Sequence, residues 1–456
     1  MSNSYKLITV FFIFLFGTVN AQTGTSSPYS ISALGELKFG GFTQHQAIGR
    51  TSRSLTDNYS FSPLNPASYA NLKFTVFDVG LATGFGKIET EALSTNTRSG
   101  NFNHFAMGFP FETDRKMAVS FGTYQYSNVG YDIKNQINTD TPSYYNVYKG
   151  NGGINKVYAG YGVEVVKNLN VGINGNFNFG NIQSLTAKVY PNTDDYFSFS
   201  DETFFSYSGF DLDLGVQYSV QDTVRIRDRR HEDSSGVKKY RTAIIKHAIG
   251  ATYNTQTDLN GSGYRYAETF FGRKFDQGEL TPIDTLLFID NQTHNAVKPA
   301  GFGVGYTVSN GINWSVSAEM EKNFWSEVKN ELNGYQFYDN MKYGFGLSII
   351  PNPNYSELGN YLGKIKYSAG VRYENLYYNF FNEQITELGI SFGLGIPVTK
   401  VVRLEDEKIP IVSRINITGE YIKRGTTDNS LIQENYFNIG IGLNFNDKWF
   451  TKRKYR

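Results

Sequence analysis

From Glu383 to Val398 apolar and small or polar side chains alternate. Leu388, Ile390, Phe392, Leu394, Ile396 and Val398 share one parity, and Gly389, Ser391, Gly393 and Gly395 share the other. Phe437, Ile439, Ile441, Leu443 and Phe445 repeat the pattern against Asn438, Gly440, Gly442 and Asn444. Successive strand side chains point to opposite faces, so each stretch predicts a strand with one hydrocarbon face and one small or polar face. Further stretches fall at roughly 72–86, 101–112, 116–131, 154–166, 168–180, 206–221, 240–255, 259–272, 298–309, 311–325, 338–351, 364–379 and 411–424, fifteen in all.

An N-terminal export signal sharpens the reading. Lys6 precedes an apolar run, Leu7 to Phe16, in which only Thr9 is polar, and Val19-Asn20-Ala21 offers small residues for cleavage. Residues 1–21 are therefore expected to be a signal peptide, with the mature chain starting at Gln22. Alternating strands behind an export signal predict an all-β fold, a transmembrane antiparallel β-barrel in the outer membrane of a Gram-negative bacterium. Such barrels carry an even number of strands. The weakest break, Thr255 to Asn260, is polar and lacks proline. One long strand is expected over 240–272 with a bulge near Asp258, which leaves fourteen. Residues 22–71, rich in Gly, Ser, Thr, Asn and Pro, do not read as strands. The barrel is expected over 72–446, and 447–456 as a basic periplasmic tail.

Composition agrees. The mean hydropathy of −0.39 would fit a soluble protein, but only half of each barrel strand meets lipid. Aromatic residues make up 16% of the chain, 33 Tyr and 36 Phe among them, as girdles at both membrane interfaces would require. A net charge of +1 gives no reason to expect nucleic acid. With no cysteine, neither a lipoprotein anchor nor a disulfide framework is expected. Connections near 87–100, 132–153, 181–205, 273–297, 326–337, 380–382 and 425–430 average longer and are assigned outside the cell. Those at 113–115, 167, 222–239, 310, 352–363 and 399–410 are assigned to the periplasm.

Two motifs add a resemblance. Ala33-Leu34-Gly35, Gly40-Gly41 and Ala47-Ile48-Gly49-Arg50 lead into Asn65-Pro66-Ala67 just before the first strand. Lys298-Pro299-Ala300-Gly301 opens a strand, and Phe324-Trp325-Ser326 ends the next. This arrangement resembles the FadL family of outer-membrane hydrophobic-compound transporters. The resemblance implies fourteen strands, a hatch formed by 22–71 inside the lumen, and lateral release of apolar ligands through a kinked third strand. Gly122 or Gly130 could mark that kink. The tail, with Lys452, Arg453, Lys454 and Arg456, departs from the family and is similar to tails on outer-membrane proteins of Bacteroidota.

The candidate chemistry is binding rather than catalysis. The five histidines form no metal-ligand spacing, and there is no nucleophile elbow. No enzyme activity, metal or cofactor is expected. Asp211, Asp213, Lys366, Arg372, Glu374 and Glu420 fall on inward parities, because charge on the lipid face is costly. They form either a polar solute path or a salt-bridge network holding hatch to wall. Tyr196, Phe197, Phe199, Phe204 and Phe205, with Leu286, Leu287 and Phe288, concentrate apolar surface in two predicted extracellular loops. They build either the capture groove for an apolar ligand or part of an interfacial girdle. The expected partners are outer-membrane lipid and a hydrophobic ligand or detergent. Other outer-membrane or periplasmic proteins could dock through 222–239 and the tail. The first expectation for function is uptake of fatty-acid-like hydrophobic molecules. The alternative is an accessory subunit of a larger complex for protein secretion or barrel assembly.

Overall fold

The computed structural model describes residues 24–111, 115–137, 142–191, 195–227, 240–272, 282–328, 336–355, 360–404 and 407–449. The expected signal peptide, most of the 222–239 charge run and the basic end of the tail lie outside them. Fourteen antiparallel strands close a barrel. In chain order they are β1 (Thr75–Glu89), β2 (Ser94–Phe111), β3 (Met117–Ile137), β4 (Tyr144–Val166), β5 (Leu169–Val189) and β6 (Ser198–Arg227). β7 is split into Tyr240–Asn254 and Thr257–Phe270, and β8 into Pro282–Lys298 and Gly301–Ser309. β9 (Trp314–Asn323), β10 (Asn340–Ile349), β11 (Lys366–Phe380), β12 (Glu383–Leu404), β13 (Glu407–Arg424) and β14 (Gln433–Asp447) complete the wall.

The predicted alternation sets the two faces. Across the seam, β14 pairs with β1 so that Phe437 lies opposite Phe85, Ile441 opposite Leu81 and Phe445 opposite Phe77. Phe437, Phe85, Ile441, Leu81 and Phe445 are all exposed. Asn444 and Asp78, on the other parity, are buried and hydrogen-bonded at 2.8 Å. An exposed apolar band of this kind continues through Leu212, Leu214 and Val216 on β6 and Leu388, Ile390 and Phe392 on β12.

The merged strand at 240–272 is present, interrupted at Thr255–Gln256 close to the expected bulge. The interruption flips the parity of the inward face. Ala248 and Thr252 are buried below it, and Leu259 and Ala267 above it. β8 breaks at the same level, at Pro299-Ala300, where proline has no N–H to donate. The third strand breaks register between Gln125 and Ser127, at neither Gly122 nor Gly130. There β2 leaves β3: their ladder ends at His104 opposite Tyr124. Glu36–Leu37 pairs with Asn128 and Ser127 just beyond.

The predicted loop boundaries need correction. Residues 181–205 are mostly ladder, with Leu185 opposite Glu202 and Gln183 opposite Phe204. Of 273–297, Pro282 onward is strand. β3 runs on to Ile137, and β4 begins at Tyr144. The reason is physical. Beyond lipid neither sheet face must be apolar, so the period-2 signal fades while the backbone ladder continues. β3 to β8 therefore rise as a tall extension at the end of the barrel opposite Thr75 and Asp447, called here the distal end.

The seam gives a direct test. Replacing outward Ile441 with Lys is expected to cost about 2–4 kcal/mol if it sits near the bilayer midplane. Heat-modifiable gel mobility should show defective assembly. Unchanged folding would mean that this face does not meet lipid.

Candidate functional site

The site is the barrel interior, where residues 24–74 lie against inward-facing side chains. Asn65 is fully buried and caps the short 3-10 helix Pro66–Asn71. Its side chain accepts from the Ala67 N–H at 3.1 Å, and its Nδ2 donates to the Arg53 carbonyl at 2.6 Å. Pro66 at the first helical position needs no N–H partner. This Asn-Pro-Ala turn seats on a cross-strand row of glycines, Gly162, Gly172 and Gly215, on β4, β5 and β6. A methyl group on any of them would land on Asn65, Pro66 or Tyr69. Ala47–Gly49 seats in the same way on Gly346, Gly370 and Gly393 of the opposite wall. Glycine on the inward parity thus serves close approach of a second backbone.

Two charge networks tie this segment to the wall, and a third joins wall strands to one another. In the first, Arg424 reaches Glu387 at 2.5 Å, Glu36 at 2.6 Å and Glu434 at 3.0 Å. Arg372 bonds Glu420 at 2.6 Å, Glu374 at 3.3 Å and also Glu387. Arg50 adds a 3.0 Å contact to Glu420. In the second, Arg53 holds Glu319 and, at 3.0 Å, Glu321, which also accepts Lys342 at 3.5 Å. In the third, Asp211 lies 3.2 Å from both Lys156 and Lys298, and Asp213 3.5 Å from Lys156. Asn178, Asn176 and Asn254 donate to these two aspartates at 2.5–2.9 Å.

Of the predicted inward charges, Asp211 and Asp213 therefore meet in one network, and Arg372, Glu374 and Glu420 in another. Lys366 faces inward opposite Gly395, in neither network. Sequence reasoning missed Glu36, Arg50, Arg53, Lys156, Lys298, Glu319, Glu321, Glu387, Arg424 and Glu434. For those on strands, the inward-parity rule that found the others would have sufficed. For those of residues 24–74, which have no period, no such signal exists.

The predicted aromatic set does not converge. Phe205 and Tyr207 face inward, with Phe205 packed beside His294 at 5.3 Å between ring centroids. Phe204 faces outward and stacks on Tyr264 at 5.6 Å. Phe288 faces outward against Tyr264 and Tyr266. Phe199 lies on the β6 ladder opposite Lys188. Tyr196 stacks on Tyr190, and Phe197 meets Phe271 edge-on. Leu287 pairs with Ala267, while Leu286 falls at a register irregularity and is exposed. The set is thus divided between two faces of one sheet.

The space between residues 24–38 and the distal strands holds the protein's own rings. Trp325 is fully buried and stacks on Tyr377 at 4.1 Å, and Tyr378 contacts both Tyr377 and Tyr29. Phe337, Leu376, Ile385 and Leu431 pack around them. Beside this cluster lies a cleft of about 70 Å³ whose walls include Glu36, Lys38, Arg50, Asn101, Glu420 and Arg424. Charged groups crowd these walls, which suits water or a polar solute better than an apolar compound.

Burial opposes charge on Glu36, but Arg424 and Lys38 outweigh it and hold the carboxyl below its ordinary range. Burial pushes the His45 imidazole down to about 3, helped by the Lys366 and His104 charges. His45 is therefore neutral, and its Nδ1 accepts the Phe42 N–H at 3.3 Å. The unfolded imidazole titrates near 6.5, so the contribution of neutral His45 is intact above that pH and lost as pH falls toward about 3. Glu36 acts in the same direction lower down: its contribution is present above its ordinary value of 4.5 and lost as pH falls through its depressed one.

Two outcomes follow from this geometry. Cleavage of residues 24–74 by added protease should rise between pH 7 and pH 4, and His45→Gln should flatten the upper part of that rise. Arg424→Met leaves buried Glu434 without its cation and takes a shared cation from Glu36 and Glu387, for an expected loss of about 3–5 kcal/mol. The temperature of the gel-mobility shift should fall, and a wild-type value would remove Arg424 from its central place.

Comparison with known proteins follows from this geometry. A family model described as BamG matches residues 4–456. No curated protein matches the sequence. Among solved structures, the Pseudomonas putida toluene transporter TodX is similar over 91% of this chain and 99% of its own, at 13% identity and a TM-score of 0.55. A Pseudomonas aeruginosa FadL homologue is similar over 90% and 99%, at 10% identity and a TM-score of 0.54. The CymD monoaromatic hydrocarbon channel is similar over 90% and 98%, at 12% identity and a TM-score of 0.50. At these identities the likeness is one of fold.

Proposed function

The chain belongs to the BamG family, and from that premise we propose that it is an outer-membrane scaffold barrel, an accessory subunit of a larger machine that assembles or secretes proteins. The observation that carries this reading is the filled interior. Residues 24–74 act as a hatch, and in the place where an apolar ligand would meet hatch and distal strands, Tyr29, Trp325, Tyr377 and Tyr378 pack on one another. Two of the charge networks, through Glu36, Arg50 and Arg53, join hatch to wall. Such a network keeps a plug in register more than it adds stability. A barrel held in this way suits a rigid part better than a gate.

Uptake of hydrophobic small molecules is the second reading. It is favoured by the fold shared with the toluene transporter and by the parting of β2 from β3 beyond Tyr124, where Glu36–Leu37 pairs with β3 in place of β2. In that reading the hatch shifts and an apolar compound leaves sideways through the parting.

Gentle solubilisation of native outer membranes separates the two. A subunit should migrate as part of a complex larger than its own 51.4 kDa chain, with stoichiometric protein partners. A transporter should run alone and retain a lipid-like or aromatic compound. Deleting 228–239 should release a periplasmic partner without harming assembly. A lone barrel carrying such a compound, unaffected by the deletion, would decide for transport.

A further inference from the structure

The outward face of the distal extension carries an apolar ladder that lies outside the lipid band. On β6, the exposed apolar residues Tyr218, Val216, Leu214, Leu212 and Phe210 mark where the wall meets hydrocarbon. Above them two rows of polar, exposed side chains run across β6 to β8, while on β5 the exposed Phe179 still lies level with the lower row. Ser208, Asn260 and Asn295 form the lower row, and Ser206, Ser262 and Thr293 the upper. Only above this collar do rings return: Phe204 opposite Tyr264, then Tyr266 opposite Phe288. Phe204 lies six residues beyond Phe210, roughly 20 Å along the strand at about 3.3 Å per residue. An interfacial girdle adjoins the hydrocarbon, whereas this ladder is set apart from it by polar rows.

The ladder ends at an open edge. Pro282–Lys298 pairs with β7 on one side, and no strand lies on its other side among the described residues. Phe288 is 62% and Leu286 55% exposed on that edge. Unpaired strand N–H and C=O groups invite an added chain, and natural edges that stay bare are usually guarded by charge. Beyond Gly130 β3 has no ladder on its β2 side among the described residues and carries charges there, Asp132 and Lys134. The β8 edge carries an apolar run, Leu286 to Ile289, between Asp284 and Asp290. Register irregularities at Thr285/Leu287 and Ile289/Gln292 shorten the regular edge, so the side-chain ladder must supply most of the contact.

The charges frame a choice of occupant. Asp284 and Asp290 bracket the apolar run, with Glu202 and Glu268 beside Tyr264 and Tyr266. Arg265 is turned to the other face and paired with Asp201 at 2.6 Å. A second copy of this chain fits badly. Antiparallel self-pairing centred on Leu287 sets Asp284 across from Asp290, a destabilising like-charge pair. We infer that the Phe204–Tyr264–Tyr266–Phe288 ladder and the β8 edge dock an extended segment of a partner protein, apolar at its centre and bearing Lys or Arg at its flanks. This names a contact for the subunit reading above and rests on it.

Site-specific photo-crosslinking in native membranes tests the assignment. Benzoyl-phenylalanine in place of Phe288 should give one protein adduct, and the crosslinked peptide should be apolar with basic flanks. The same probe at Phe210 should report lipid, and at Ser262 little or no protein. The double variant Phe288→Ser, Tyr264→Ser should lose at least nine-tenths of the adduct to a probe placed at Leu286, with normal gel mobility showing an intact barrel. Adducts from residue 288 to lipid, to a second copy or to an acidic peptide would overturn the docking site, as would no adduct at all. If the native complex persists under any of those outcomes, the subunit reading stands without this contact. If the barrel purifies alone, that reading fails and takes the docking site with it.

Discussion

The charges inside this barrel have little water to screen them and no lipid-side alternative. Each inward carboxylate or guanidinium must find its counter-charge within the lumen, because an uncompensated ion there costs several kcal/mol. Arg424 shows how far this constraint reaches. It sits at the end of β13, yet it meets Glu387 from β12, Glu434 from β14 and Glu36 from the N-terminal segment. One side chain thereby fixes three strands and the N-terminal segment relative to one another. Arg53 does the reverse from inside, since its backbone and side chain together satisfy Glu319 on β9.

The glycines complete the same design. The backbone of residues 24–74 can come close enough to use wall charges only where the wall has no side chain. The glycine row under Asn65-Pro66 and the glycines under Ala47–Gly49 provide that approach on opposite sides. Shape and charge therefore fix one orientation of the segment, although it has no core of its own. Phe42, Phe61 and Tyr69 find their apolar partners in Tyr124 and Tyr158 of the wall.

The same barrel is asymmetric above the bilayer. β3 to β8 continue at the distal end beyond the ends of β9 to β14, and the continuation has two usable faces. Its inner face joins the distal aromatic cluster through Phe205 and Ile182. Its outer face is open. A transporter would have use for the inner face and a subunit for the outer one, so the division of the aromatic set between them bears directly on function.

Alternation by itself determined the all-β fold, the strand number once parity required an even count, and the lipid-facing and inward-facing sets. Those follow because hydrocarbon on one side imposes a period of two that any reader of the chain can count. Asp211, Arg372 and Glu420 were legible as inward charges for that reason. The pairing of those charges was not legible, since residues 24–74 have no period and contribute Glu36, Arg50 and Arg53 from positions that only the folded segment defines. The extent of β5, β6 and β8 was hidden too, because a strand in water needs only its backbone ladder and leaves no hydrophobic signature. Tertiary structure alone decided that Phe204 and Phe205, neighbours in sequence, serve opposite faces of a sheet where a loop was expected.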